Sequence, residues 1–176
     1  MDIVVPDDMQ YLYVRNKERP VWKIPDPVLR EIARPIEKID KKVIEFTETM
    51  VSAMKLANGI GLAAPQMGKA LRIIAIAPGD MKPLVIINPE IMESSEETDI
   101  AQEGCLSIPG LYGDVVRSTR VVVEGYDKKG KPVGYEVDGL AARVIQHEVD
   151  HLNGVLFIDK AIPETLHWEH PGPVDE

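Results

Sequence analysis

Residues 146–154 read Gln-His-Glu-Val-Asp-His-Leu-Asn-Gly, which sets His147, Glu148 and His151 in the spacing His-Glu-x-x-His. On a helix, positions i and i+4 lie one above the other on the same face. Two imidazoles so placed can bind one metal ion, and the glutamate beside the first can reach a water on that ion. The chemistry this proposes is hydrolysis, with a metal-activated water as nucleophile and a carboxylate to move its proton. A catalytic site of this kind needs a third protein ligand and keeps one position open.

Several residues could supply that ligand. The metzincin pattern needs a third His six residues after His151, and Phe157 stands there. The thermolysin-like pattern takes a Glu from a following helix. Glu164 and Glu169 are available, but only 25 residues follow His151 and they run into Pro171-Gly172-Pro173, which leaves little room for a helix. His167 and His170 have metal-binding spacing, yet in a short terminal segment beside Trp168 they read as exposed. Upstream, Glu103-Gly104-Cys105-Leu106-Ser107 offers Cys105, the one cysteine of the chain, for which no intrachain disulfide can form. A lone cysteine is ordinarily a small buried hydrophobe. As a ligand it would be a thiolate, and a Cys-His-His set leaves one position for water. Thiolate and imidazole suit zinc and iron alike, and open tetrahedral sites are usually zinc.

The elements that must position these groups can be read in outline. Asp138 caps the motif helix, Gly154 stops it and Asn153 is its last position. Leu140, Val144, His147 and His151 share one face, while Ala141, Ile145, Val149 and Leu152 form an adjacent apolar stripe. Asp26-Pro27 opens a short helix to about Ala33, ended by Pro35. A longer helix spans about Asp40 to Ala57, with Val43, Met50, Met54 and Ala57 near helical period and Phe46 alongside; Asn58-Gly59 stops it, Gly accepting the left-handed conformation. Strands are expected over Leu71–Ala77, Leu84–Ile87, Val115–Tyr126 and Pro132–Val137, the last two joined by an Asp127-Lys128-Lys129-Gly130 hairpin turn. Gly104 and Pro109 predict irregular backbone around Cys105. The order α, α, several β, α indicates an α+β fold with an antiparallel-rich sheet.

Composition narrows the function classes. With 44% hydrophobic and 28% charged residues in 176, the chain suits one globular domain with a substantial core. The longest apolar runs are too short to span a bilayer, and the acidic N-terminus lacks the layout of a signal peptide, so a cytoplasmic location is expected. A net charge of −9 argues against a broad nucleic-acid-binding face.

Three segments, Gly59-Ile60-Gly61-Leu62-Ala63-Ala64-Pro65-Gln66, Glu103–Ser107 and Gln146–His151, together closely resemble the peptide deformylase family. Lys23–Arg30 and Ile87-Asn88-Pro89 also look like that family, and the likeness covers roughly residues 19–160. The resemblance implies antiparallel-rich sheets around a central helix carrying the His-Glu-x-x-His motif. It divides the chain into an extension (1–18), a catalytic domain (19–160) and a tail (161–176). It implies an enzyme that removes the N-formyl group from the initiator methionine of nascent polypeptides, releasing formate. Carried over by position, Cys105, His147 and His151 hold the metal, Glu148 is the general acid/base, and Gln66 with the backbone N–H of Leu106 stabilises the oxyanion. The metal implied is Fe²⁺, which Zn²⁺, Ni²⁺ or Co²⁺ can replace. Work on nascent chains implies transient association with the ribosome, for which the acidic tail offers no basic surface.

Substrate contacts follow from residue type. Gly61 can present backbone to an extended peptide, and Ile60, Leu140 and Val144 are candidates for an apolar methionine pocket, with the Arg143 stem alongside. Glu103 and Arg117 could form a buried pair bracing the Cys105 loop, and Asp150 could orient a ligand imidazole. Two other readings stay open: a metallopeptidase acting on unformylated peptides, and a non-catalytic metal-binding protein.

Overall fold

Asp40 starts the first long helix by accepting a hydrogen bond from the Val43 N–H at 3.0 Å. This helix, α1 (Lys41–Leu56), buries Thr47, Met50, Ala53 and Met54. Asn58, not Gly59, takes the left-handed conformation that ends it, with φ 52°. Gly59 serves packing instead, since a Cβ there would lie 2.7 Å from Leu106 Cδ1. The computed structural model describes residues 1–171, so the end of the tail, 172–176, lies outside the described residues.

Two antiparallel sheets follow. β1 (Gly61–Ala63), β2 (Ile73–Ile76), β3 (Leu84–Ser94), β6 (Arg120–Tyr126) and β7 (Pro132–Asp138) form a five-stranded sheet in that order. β4 (Thr98–Cys105), β5 (Ile108–Ser118) and β8 (His167–Trp168) form a three-stranded sheet, also in that order. The motif helix is α2 (Gly139–Leu152), and the α+β architecture is as expected.

Alternation along β2 organises the core. Ile73 and Ala75 pack with Met50 and Met54 of α1. Ile74 and Ile76 pack on the opposite face with Ile145, Val149 and Leu152 of α2. A strand covered on both faces reads as an unbroken apolar run, as Ile73–Ile76 does. Each fully buried isoleucine contributes about 1.5–3 kcal/mol. A third cluster, including Leu29, Ile108, Val115 and Phe157, underlies the small sheet.

Several expectations require correction. The Asp26–Ala33 helix is a single 3₁₀ turn, Pro27–Arg30. Beyond it the backbone is taken by tertiary pairing, Ala33 N–H donating to Leu152 O at 2.8 Å and Arg34 N–H to Ala70 O at 2.9 Å. The Val115–Tyr126 run is two strands in different sheets, β5 and β6, separated at Thr119. The backbone around Cys105 is largely strand, with Gly104 paired to Tyr112. Asp138 stands at the N-cap of α2 but makes no side-chain cap hydrogen bond.

Polar contacts fix α2 at its middle and at its C-terminal end. Gln146 accepts from the Ser118 N–H at 3.1 Å and donates to Ser118 O at 2.9 Å, which locks the helix to the β5–β6 junction. The Arg72 guanidinium donates to Leu152 O at 3.1 Å and to Asn153 Oδ1 at 3.1 Å, satisfying a carbonyl the helix end leaves unpaired. Segment 1–18 lies against the small sheet, where Met9 is buried and Tyr13 donates to Pro109 O at 3.0 Å.

Candidate active site

α2 supplies His147 and His151, whose rings meet Glu103 and Cys105 of β4, and Glu148, whose carboxylate lies against Gly61 of β1. The pairing register shifts between Gly104 and Cys105, so the strand turns its last side chain toward the helix. Cys105 Sγ stands 3.4 Å from His151 Nε2, and the candidate ligating atoms of Cys105, His147 and His151 all lie within 4.8 Å of one another. Metal–sulfur bonds near 2.3 Å and metal–nitrogen bonds near 2.0–2.1 Å at tetrahedral angles put S and N about 3.5 Å apart. The donor set therefore fits one divalent cation. It is the one such group among the described residues. His167 lies apart on β8, exposed and paired with Glu169 at 2.8 Å, so the downstream alternatives do not join the site.

Glu103 holds the first imidazole. Its Oε2 lies 2.8 Å from His147 Nδ1, which turns Nε2 of that ring inward. Arg117 donates to both Glu103 oxygens at 2.9 and 3.0 Å, and Arg143 donates to Oε1 at 2.9 Å. Burial would raise the Glu103 pKa, but the hydrogen bonds from His147 and Arg117 and their charges outweigh it and hold the carboxyl well below the usual range. Asp150 does not touch an imidazole; it accepts from Arg117 and from Lys160 Nζ. The Arg143 stem lines the cavity, and its guanidinium runs away to Glu103, Val115 O and Asp99.

The imidazoles sit in opposite fields. Burial and the positive charges of His147 and Arg117 push His151 well below its ordinary pKa, which keeps it neutral and able to ligate. Burial opposes charge on His147 too, yet its hydrogen bonds to Cys105 and Glu103 hold its pKa well above the ordinary value. The negative potential that attracts a proton there also favours a metal cation. Burial lifts Glu148 to about 7, with nearby Glu103 adding to the rise against the charge of His147. Glu148 Oε2 is buried and has no hydrogen-bond partner among the described residues.

Gln66 lies on the 3₁₀ turn Ala64–Met67. Its Oε1 accepts from the Ala63 N–H at 2.9 Å, which turns the amide nitrogen toward Ser107 Oγ at 3.1 Å and Cys105 Sγ at 3.6 Å. Gly61 passes close to α2: a Cβ there would collide with Glu148 Oε1 and come within 2.9 Å of Val144 Cγ1. A cavity of about 500 Å³ opens over these groups. Ile60, Gly61, Gln66, Leu106, Leu140 and Val144 line it together with Cys105, His147 and Glu148. His151 is buried behind them.

Sequence reasoning missed the Glu103–His147 contact; it allowed Glu103 to pair with Arg117, as it does, and left Asp150 open between an imidazole partner and an exposed helix acid. No sequence signal marked the contact: Cys105 lies across a register shift from Glu103, so strand alternation does not relate the two side chains. It also missed Ser107, fully buried and bonded to Gln66.

The model of the polypeptide deformylase family matches residues 18–166. The chain belongs to this family. A peptide deformylase of Dictyoglomus thermophilum is 49% identical over 151 residues, covering 86% of this chain and 97% of the relative. The crystal structure of peptide deformylase from Thermotoga maritima superposes with a TM-score of 0.79 at 44% identity, covering 81% of this chain and 97% of that one. A peptide deformylase of Acinetobacter baumannii, solved with Met-Ala-Ser bound, superposes with a TM-score of 0.77 at 37% identity, over 80% of this chain and 96% of that one. Deformylases are metal-dependent hydrolases that remove N-formyl groups from nascent peptides, which disfavours the peptidase reading. No helix among the described residues is long and apolar enough to cross a membrane.

Proposed function

We propose that Cys105, His147 and His151 hold one Fe²⁺, that Glu148 is the general acid/base, and that Gln66 and the Leu106 N–H bind the developing oxyanion. The observation that carries this reading is the meeting of the Cys-His-His set, the unpartnered Glu148 Oε2 and the Gln66 amide nitrogen beside one cavity. Zn²⁺, Ni²⁺ or Co²⁺ fits the same donors. Bound there, the metal supplies a water acidic enough to act as hydroxide near neutral pH. Residues 19–160 form the catalytic unit, with 1–18 as an extension and 161–176 as a tail. The enzyme works in the cytoplasm on N-formylmethionyl nascent chains, in transient association with the ribosome.

The residues divide the work by chemistry. Glu148 takes the proton as the nucleophile attacks the formyl carbon, and returns it to the amine nitrogen as the C–N bond breaks and formate leaves. Gln66 donates to the charged oxygen without titrating, an interaction worth about 3–4 kcal/mol in comparable sites. Ile60, Leu140 and Val144 receive the methionine side chain. Gly61 lies on β1 and Cys105 ends β4, and both strands are sheet edges. An extended peptide lying between them pairs through its backbone, which reads its side chains little. The Acinetobacter enzyme was solved with a peptide, Met-Ala-Ser, bound.

The test is formate release from formyl-Met-Ala-Ser by iron-loaded protein purified without oxygen. The expected result is turnover that falls by about 10²–10⁴ in Glu148→Ala, with unformylated Met-Ala-Ser left intact. Iron-loaded protein that releases no formate, or that cuts the Met-Ala bond, contradicts the reading.

A further inference from the structure

Residues 1–17 and 167–176 lie outside the stretch that matches the family model. Among the described residues these two ends meet beside the cavity. The 3₁₀ segment Asp7–Tyr13 packs on the start of β5, where Met9 Sδ lies 3.0 Å from where a Cβ on Gly110 would stand. Tyr13 is anchored on Pro109 O, and the Glu169 N–H donates to Gly110 O at 2.8 Å. The Tyr11 and His170 rings lie 6.3 Å apart, with the Arg19 guanidinium 5.3 Å over the Tyr11 ring. From this clasp Leu12 and Pro171 reach the wall of the active-site cavity, which Leu111 of β5 also lines.

The cavity thus has two apolar regions of different origin. Ile60, Leu140 and Val144 come from the approach to β1 and from α2, on the five-stranded side. Leu12, Leu111 and Pro171 come from the small sheet and the two chain ends. A formyl peptide with its methionine in the first region has further side chains to place, and about 500 Å³ accommodates more than one.

We propose that Leu12, outside the stretch that matches the family model, is a specificity-determining residue. With Leu111 and Pro171 it forms a subsite that favours an apolar over an acidic side chain downstream of the formylmethionine. This rests on the deformylase reading of the cavity. Leu12 is half-buried at the end of an exposed segment, so a polar residue there is compatible with the fold.

The experiment measures kcat/KM for formyl-Met-Xaa-Ser and formyl-Met-Ala-Xaa, with Xaa either Leu or Asp. The parent should prefer Leu by about tenfold or more at one of the two positions. Leu12→Ser should bring that ratio near unity through KM, with kcat within about twofold. Leu12→Met should restore it, and Leu12→Lys should turn the preference toward Asp. Ratios that agree between parent and Leu12→Lys at both positions overturn the proposal, as does a parent with no preference. Formyl-Met-Ala-Ser serves as control: absence of formate from it would sink the deformylase reading itself.

Discussion

Glu103 and His147 are 2.8 Å apart, and the carboxylate that holds this imidazole is itself held by Arg117 and Arg143. The ring that would ligate the metal is thus oriented from β4, the strand that ends in Cys105. One strand sets both the sulfur and the direction of a nitrogen.

Removing the Glu103 charge should loosen both. Glu103→Gln leaves two guanidinium groups, largely buried, without their shared anion, and breaking such a pair typically costs about 3–5 kcal/mol. Metal affinity should fall about 10–100-fold. Chelator competition and thermal unfolding of the same samples check the two effects. Parent-like affinity would mean the contact does not orient the ligand.

The buried Glu148 gives the metal-free protein a pH dependence of definite sign. Its folded pKa, about 7, lies above the ordinary glutamate value, so the folded state favours the neutral acid. Stability from this group is complete below the ordinary value and is lost as pH rises through 7. Each tenfold step in proton affinity is worth about 1.4 kcal/mol, so the loss approaches about 3 kcal/mol. Metal-free Glu148→Gln should therefore gain stability over the parent above pH 7 and match it near pH 4. Denaturant unfolding across that range measures the difference, and a pH-independent gap would contradict the account.

Gly61→Ala should spare the metal and harm the chemistry. The new methyl group meets Glu148 Oε1 and Val144 Cγ1, so the carboxylate must move. Misplacing a reacting group by about 1 Å can cost about 10²-fold in rate. Metal content by mass spectrometry should stay unchanged while kcat/KM falls; loss of the metal itself would assign Gly61 a different role.

Gly154→Ala tests the end of α2. Gly154 has φ 70°, and a Cβ there would stand 2.5 Å from Arg30 O. The left-handed conformation alone costs about 1–2 kcal/mol for an L-residue, and the contact adds to it. A lowered unfolding temperature is expected, and an unchanged one would show that the Arg30 segment yields freely.

The paired imidazoles and the single cysteine were legible from residue type and spacing, whereas Gln66, by type an ordinary loop glutamine, was singled out only by the family resemblance. Both long helices were legible from capping and period. The small sheet was not. β4 reads Thr-Asp-Ile-Ala-Gln-Glu-Gly-Cys, polar and open on one edge, with little of the β-branched alternation that marks a strand. Nothing at Ser118-Thr119 marks the passage between sheets, since no Gly or Pro interrupts the run there. Glu103 was not seen as the imidazole partner because a helix neighbour such as Asp150 is visible in sequence and a strand packed against that helix is not. Residues 7–13 read as an extension for the same reason: their partners, Pro109 and Gly110, lie about a hundred positions away.

The central claim is that one cysteine and two histidines share a metal. X-ray absorption at the iron edge of protein purified without oxygen tests it directly. The predicted first shell contains one sulfur and two imidazole nitrogens, and the sulfur contribution disappears in Cys105→Ser. A shell without sulfur in the parent, or a spectrum unchanged by Cys105→Ser, would contradict the account.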